Sequence, residues 1–222
     1  MKSKNEIHSK LGQVKRVILF FLVYLAGFAF IENRNTQPYI IHTVLDDKIP
    51  FCEYFIIPYL MWFLLIALTL VYMIFFQENK KEYYQLMRNI YAGAIVFLIV
   101  SLVYPNAQDL RPELSGDGIF EKLVQLIYMV DTPTNILPSL HVFYAVACCI
   151  ALLKTTFRKY GKEIKCGIVI LTVLIILSTM FLKQHSVVDV VMALVLNVLF
   201  YVLFYRFIPV SDQNSKNRKI YI

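Results

Sequence analysis

Six long apolar runs, separated by short polar segments, leave this chain very few ways to fold. They fall at Val17–Ile31, Tyr54–Phe76, about Ile90–Tyr104, about Leu137–Leu153, Gly167–Leu182 and Val187–Ile208. Crossing a bilayer takes roughly 20 residues of helix, so the shorter runs must extend into their flanks. Inside lipid every backbone polar group needs an internal partner, which leaves helices or a closed barrel. The runs lack the alternation of a barrel strand, so the sequence predicts an all-α, polytopic membrane protein with a six-transmembrane-helix bundle. Composition agrees, with 59% hydrophobic and 17% charged residues and a mean hydropathy of +0.61. Soluble domains lie nearer 45–50% apolar and 25% charged.

The formal net charge of +7 does not point to nucleic acid, because the basic residues sit in short segments between the runs. With the N-terminus inside, the inner segments hold five, three, five and four Lys and Arg, and the outer ones hold Arg34, Lys48, Arg111, Lys122 and Lys183. That seventeen-to-five split of the 22 basic residues places both termini in the cytoplasm of a multi-pass cell-membrane protein. The domain reading is a cytoplasmic segment over 1–16, a six-span membrane domain over 17–209 and a polar cytoplasmic tail over 210–222. The first run follows Lys2, Lys4, Lys10, Lys15 and Arg16 but offers a poor cleavage site, so it reads as a retained span. The longest outer segment contains Ile119–Val130, which reads either as an interfacial helix or as a packed loop. Cys52, Cys148, Cys149 and Cys166 have neither metal spacing nor the pattern of a disulfide framework.

Ionisable residues at the edge of a span are costly, so each is a candidate for function. His141, His185 and Asp189 all fall at the outer end of their spans. His185 and Asp189 are four apart and share one helix face. A carboxylate there fixes one imidazole tautomer and frees the other nitrogen as a nucleophile or base. A pair of this kind also serves simply to tie a loop to a helix. Pro138 and Ser139 open the span that carries His141, and a helix N-terminus with a Ser and a His suits a phosphate. Arg111 brings a planar fork for phosphate oxygens, and Lys183 lies two residues before His185. Ser178 is suited to a local helix hydrogen bond. Two histidines and an Asp suit zinc or iron as well, but Arg111 and Lys183 attract an anion and repel a cation.

The order R-P, P-S-x-H and S-x6-H-x3-D resembles the type 2 phosphatidic acid phosphatase superfamily, whose motifs read K-x6-R-P, P-S-G-H and S-R-x5-H-x3-D. Arg111 and Pro112, then Pro138, Ser139 and His141, then Ser178, His185 and Asp189 match. Tyr104, Leu140 and Thr179 stand where the family has Lys, Gly and Arg, and Lys183 is the available substitute cation. The P-S-L-H form is similar to the branch that includes inositol phosphorylceramide synthase, which moves a phospho head group onto an alcohol. The resemblance implies a six-helix membrane fold and a metal-independent, cofactor-free lipid phosphatase or phosphotransferase. It also implies that His185 attacks phosphorus, Asp189 orients it and His141 exchanges the proton. Arg111, Ser139, Lys183 and Ser178 would hold the phosphate. The partners implied are a membrane lipid phosphate and the bilayer; a non-catalytic relative of the same fold and a proton-relaying transporter are the rival classes.

Overall fold

A computed structural model describes residues 2–77, 80–157, 159–208 and Val210, with the side chains of 2–6 left aside. All of the tail read over 210–222 except Val210 lies outside the described residues. Among the described residues eight α-helices follow one another: α1 (Lys2–Glu32), α2 (Val44–Lys48), α3 (Ile56–Val71), α4 (Lys81–Val103), α5 (Ile119–Val130), α6 (Leu140–Leu153), α7 (Gly161–Phe181) and α8 (Val187–Tyr201). A 3-10 turn at Glu53–Phe55 leads into α3, and π-helical turns at Tyr72–Phe76 and Val202–Phe207 extend α3 and α8. The described residues are therefore all-α apart from one small parallel pair, β1 (Tyr39–Ile40) with β2 (Asn106–Ala107), and an isolated bridge between Ala107 and Thr134, which alternation over a whole span could not reveal.

Five helical segments are long and apolar enough to cross a membrane: Ile7–Glu32, Glu53–Phe76, Lys81–Val103, Gly161–Phe181 and Val187–Phe207. The sixth, α6, has only 14 residues. At 1.5 Å per residue it is about 21 Å long, short of the roughly 30 Å hydrocarbon core. Its surroundings explain the shortfall. Nine of its residues are buried, and it packs on α3, α4, α7 and α8, so its neighbours rather than lipid enclose it. By contrast α1 stands at the periphery with few buried residues, and touches the bundle chiefly through α4. Its apolar side chains such as Leu22, Val23 and Phe30 are exposed, as lipid-facing residues must be.

The connections gather at two ends. At one, Lys80 donates to the Met73 and Ile74 carbonyls and Arg88 to the Ile208 carbonyl, in the region of the basic segments. At the other, the segment after α4 acts as a latch. The buried Asn106 side chain accepts from the Ile136 and Leu137 N–H groups, at 2.8 and 3.0 Å, and donates to the Tyr104 carbonyl. Gln108 donates to the Lys183 carbonyl at 2.8 Å, while its backbone N–H reaches Pro133. This latch ties the loop before α6 to the loop before α8. The segment Ile119–Val130 is a helix; it buries Val124 against Ile56, Tyr59 and Leu182, and Tyr128 donates to the Leu182 carbonyl.

Candidate active site

Helix starts build this end of the bundle. Ser139 is the N-cap of α6, in extended conformation, and its hydroxyl accepts from the Val142 N–H. Pro138 therefore precedes the cap and is not the first helical residue. Capping by Ser satisfies one of the donors that a helix start leaves open. The second turn of the site is the N-cap of α8, Ser186, where Asp189 returns a bond to the Ser186 N–H at 2.9 Å. Ser139 N–H donates to the Asp189 carbonyl at 3.2 Å, which joins the two helix starts directly.

The two imidazoles meet across that junction. Nε2 of His185 lies 3.4 Å from Nδ1 of His141. Nδ1 of His185 lies 3.4 Å from Asp189 Oδ2, and Asp189 is fully buried. Its Oδ1 has no partner among the described residues. On its far side, His141 presents Nε2 to the Tyr59 hydroxyl at 3.0 Å, and that hydroxyl donates to Asp131 at 2.8 Å. Trp62 donates to the His141 carbonyl at 2.8 Å and lays its ring against the imidazole, with centroids 4.4 Å apart. A cavity of about 200 Å³ opens over the two histidines. Asp131, Gln184, His141 and His185 supply its polar wall, and Tyr24, Phe28 and Phe97 its apolar wall.

The cations are placed differently. Arg111 caps the C-terminus of α5, donating to the Tyr128 and Asp131 carbonyls at 3.2 and 2.6 Å, and it also donates to Gln184 Oε1. Its guanidinium lies over the Tyr128 ring at 4.4 Å. It is thus one residue removed from the cavity, through Asp131 and Gln184, and its Nε has no partner among the described residues. Burial lowers the Arg111 pKa from its usual value, opposed by the Asp131 charge. Lys183 adopts a left-handed backbone conformation with φ 52°, and its ammonium donates to the Asp46 and Ile49 carbonyls. Ser178 is buried and donates to the Ile175 carbonyl at 2.7 Å. Neither residue lines the cavity. Tyr104, at the motif's Lys position, stacks on Tyr39 with centroids 5.0 Å apart.

Three polar residues of the site escape sequence reading. Tyr59 partners His141, Asp131 partners Tyr59, and Asp46 partners the start of α8. Asp46 accepts from Ser186 Oγ at 2.7 Å and from the Val187 N–H at 2.8 Å, besides capping its own short helix through Thr43. Burial raises its pKa, but the hydrogen bonds from Val187, Ser186 and Thr43 outweigh burial and leave it below the usual carboxylate value. Asp131 carried one usable signal, an ionisable residue directly after an apolar helix. Tyr59 carried none, since a tyrosine within a span reads like any lipid-facing aromatic.

The arrangement offers a buried imidazole–carboxylate couple, a second imidazole within reach of the same small ligand, and a guanidinium behind them. That is the equipment for in-line displacement at phosphorus. Comparison with curated proteins and with solved structures yields no match. A family model described as the PAP2 superfamily matches residues 91–212. Those residues hold Arg111, His141, His185 and Asp189 and span more than half of the sequence, and the chain belongs to the PAP2 superfamily.

Proposed function

We propose that this protein hydrolyses a lipid phosphate or diphosphate at the outer membrane face through a phosphohistidine. One observation carries the reading: His185 Nε2 and His141 Nδ1 face each other at 3.4 Å beneath a cavity with an apolar wall. His185 is the nucleophile. Its Nδ1–H is held by Asp189, which stabilises the positive charge that develops on the ring. His141 gives a proton to the leaving oxygen and later takes one from water. The two rings part to admit the phosphoryl group. Arg111 sets its positive charge behind the polar wall, bonded to the Gln184 amide oxygen and the Asp131 backbone carbonyl, and Ser139 fixes the start of α6. The apolar wall takes the lipid. The seventeen-to-five distribution of Lys and Arg supports an outward-facing site with both termini inside.

A second reading, transfer of a phospho head group to an alcohol, has its own support. Tyr104 and Thr179 are neutral where the motifs have cations, and the Lys183 ammonium is engaged by two carbonyls. A site with one guanidinium suits a monoanionic phosphodiester better than a dianionic monoester. The experiment is phosphate release from several lipid phosphates by the purified protein and by His185→Ala, in the presence of chelator. Release by the parent alone supports hydrolysis, and equal release from both removes it. Labelled donor lipid whose label appears in a new lipid instead of free phosphate selects the second reading. Protection of a cysteine at position 113 from an impermeant reagent in intact cells would reverse the orientation.

A further inference from the structure

His141 has a polar partner on each side of its ring. Nδ1 faces His185 Nε2 at 3.4 Å, and Nε2 faces the Tyr59 hydroxyl at 3.0 Å. The hydroxyl is 2.8 Å from Asp131 Oδ2. Counting hydrogens fixes the direction of these bonds. A carboxylate only accepts, and a phenol has one hydrogen to give. The Tyr59 hydrogen is therefore committed to Asp131, and the phenol oxygen accepts from Nε2–H of His141. Neutral His141 then offers the lone pair of Nδ1. By the same count, Asp189 takes the Nδ1–H of His185 and leaves that ring the lone pair of Nε2. Two lone pairs meet at 3.4 Å, and only an added proton turns that contact into a hydrogen bond.

We propose that Asp131 and Tyr59 are positioning residues that keep hydrogen on Nε2 of His141, making Nδ1 the atom that delivers and recovers the proton of phosphoryl transfer; the role, though not the tautomer, rests on the function proposed above. The lone pair of His185 Nε2 forms the N–P bond. The P–O bond breaks, and its electrons stay with the leaving oxygen, which takes the proton from His141 Nδ1. Water next gives a proton to Nδ1 as its oxygen bonds to phosphorus, and the N–P electrons return to His185. Asp131 remains a carboxylate and Tyr59 a phenol throughout. Their work is orientation and stabilisation of His141 while it carries two protons.

The surroundings of His141 support that role. From α3 come Tyr59 and Trp62, the Tyr59 ring lying 4.9 Å from the imidazole by centroids. The loop before α6 supplies Asp131, with Arg111 bonded to its carbonyl. Ahead of α8 stands His185, with Asp189 and then Asp46 behind it. Asp131 is thus the carboxylate connected to His141 from the side away from the nucleophile. Tyr59 is 1% exposed, so its hydroxyl cannot exchange these partners for bulk water.

The test uses the full-length protein in detergent, labelled with 15N-histidine, with His141 signals assigned by comparison with His141→Gln. The expected neutral form of His141 carries hydrogen on Nε2, and Tyr59→Phe and Asp131→Asn each erase that preference. A neutral His141 with hydrogen on Nδ1 in the parent protein overturns the inference. The kinetic arm compares kcat/KM for p-nitrophenyl phosphate, whose leaving group needs no proton, with that for dioctanoyl phosphatidic acid. Because general-acid help is worth about 100-fold or more, both variants should lose roughly 10- to 100-fold on the alkyl ester and less than about threefold on the aryl ester. Equal losses on the two esters mark a merely structural role and also overturn it. If the parent hydrolyses neither ester, the proposed function fails, and the tautomer measurement still decides this inference.

Discussion

The two histidines of the site are held by different kinds of structure. His185 is held locally: Asp189 is four residues on, and Ser186 between them caps α8. His141 is held at long range, by a tyrosine 82 residues earlier in the chain and by an aspartate in a loop outside its own helix. The first arrangement forms whenever the first turn of α8 forms. The second requires α3, α6 and the end of α5 to be in register at once. Local capping therefore sets the geometry of His185, the proposed nucleophile, and bundle packing sets that of His141, the proposed proton donor. Perturbing the packing should damage one and spare the other.

The largest effects separate the two arms chemically. His185→Ala removes the attacking nitrogen and should lower turnover by at least about 10³-fold, with no acid-labile label trapped from 32P-labelled lipid phosphate. Asp189→Asn should cost about 10²- to 10⁴-fold by freeing the wrong tautomer. His141→Ala should lose about 10²- to 10⁴-fold on alkyl esters, yet still form labelled enzyme from an aryl ester. Loss of labelling in His141→Ala as complete as in His185→Ala would erase the distinction between nucleophile and proton donor.

Gly93→Ala tests the long-range arm through packing alone. A Cβ at Gly93 would lie 2.1 Å from the Phe143 ring, and Phe143 is fully buried two residues beyond His141. The ring cannot retreat into free space, so α6 must shift against α4. Overpacking of this kind costs about 1–3 kcal/mol. Thermal unfolding in detergent should show that loss. If His141 is the proton donor, turnover of an alkyl ester should fall further than turnover of an aryl ester.

How much of this was legible in the sequence follows from the same contrast. The spans, the closeness of His185 to Asp189 and the placement of His141 at a helix start depend on residues close in sequence, so pattern carried them; the shared helix face did not hold, because His185 stands before the Ser186 cap of α8 and meets Asp189 across the cap. The shortness of α6 was not legible, because the length a helix needs depends on whether lipid or protein surrounds it. The Tyr59–Asp131 pair was not legible either, since its members become neighbours only when α3 packs against α6. Lys183 shows the reverse: nearness in sequence to His185 suggested a phosphate ligand, whereas in this structure its ammonium is bonded to the Asp46 and Ile49 carbonyls, partners that sequence nearness could not reveal.

Asp46 sharpens the comparison from the local side, because it braces the start of α8 from a distant loop. Asp46→Asn weakens up to four hydrogen bonds to Ser186, Val187 and Thr43 and should cost about 1–3 kcal/mol. The folded pKa of Asp46 lies below its unfolded value, so its contribution is fully present above the unfolded pKa and is lost as pH falls through the folded one. Unfolding temperature should therefore decline more steeply below about pH 4 in the parent than in Asp46→Asn. Parallel decline in both proteins would show that Asp46 does not brace the helix.

The smallest effect is expected at Ser178, the residue that motif matching alone would place among the phosphate ligands. It is buried within the last turn of α7, seven residues before His185, and its hydroxyl already donates to the Ile175 carbonyl. A helix serine bonded back to its own preceding turn gives little to stability, so Ser178→Ala should change it by about 1 kcal/mol or less. If the hydroxyl has no other task, KM for a lipid phosphate should stay within about twofold, well under 1 kcal/mol of binding. A rise of tenfold would mean that substrate draws α7 into the site, and the phosphate would then contact an element that in this structure only supports the loop carrying His185.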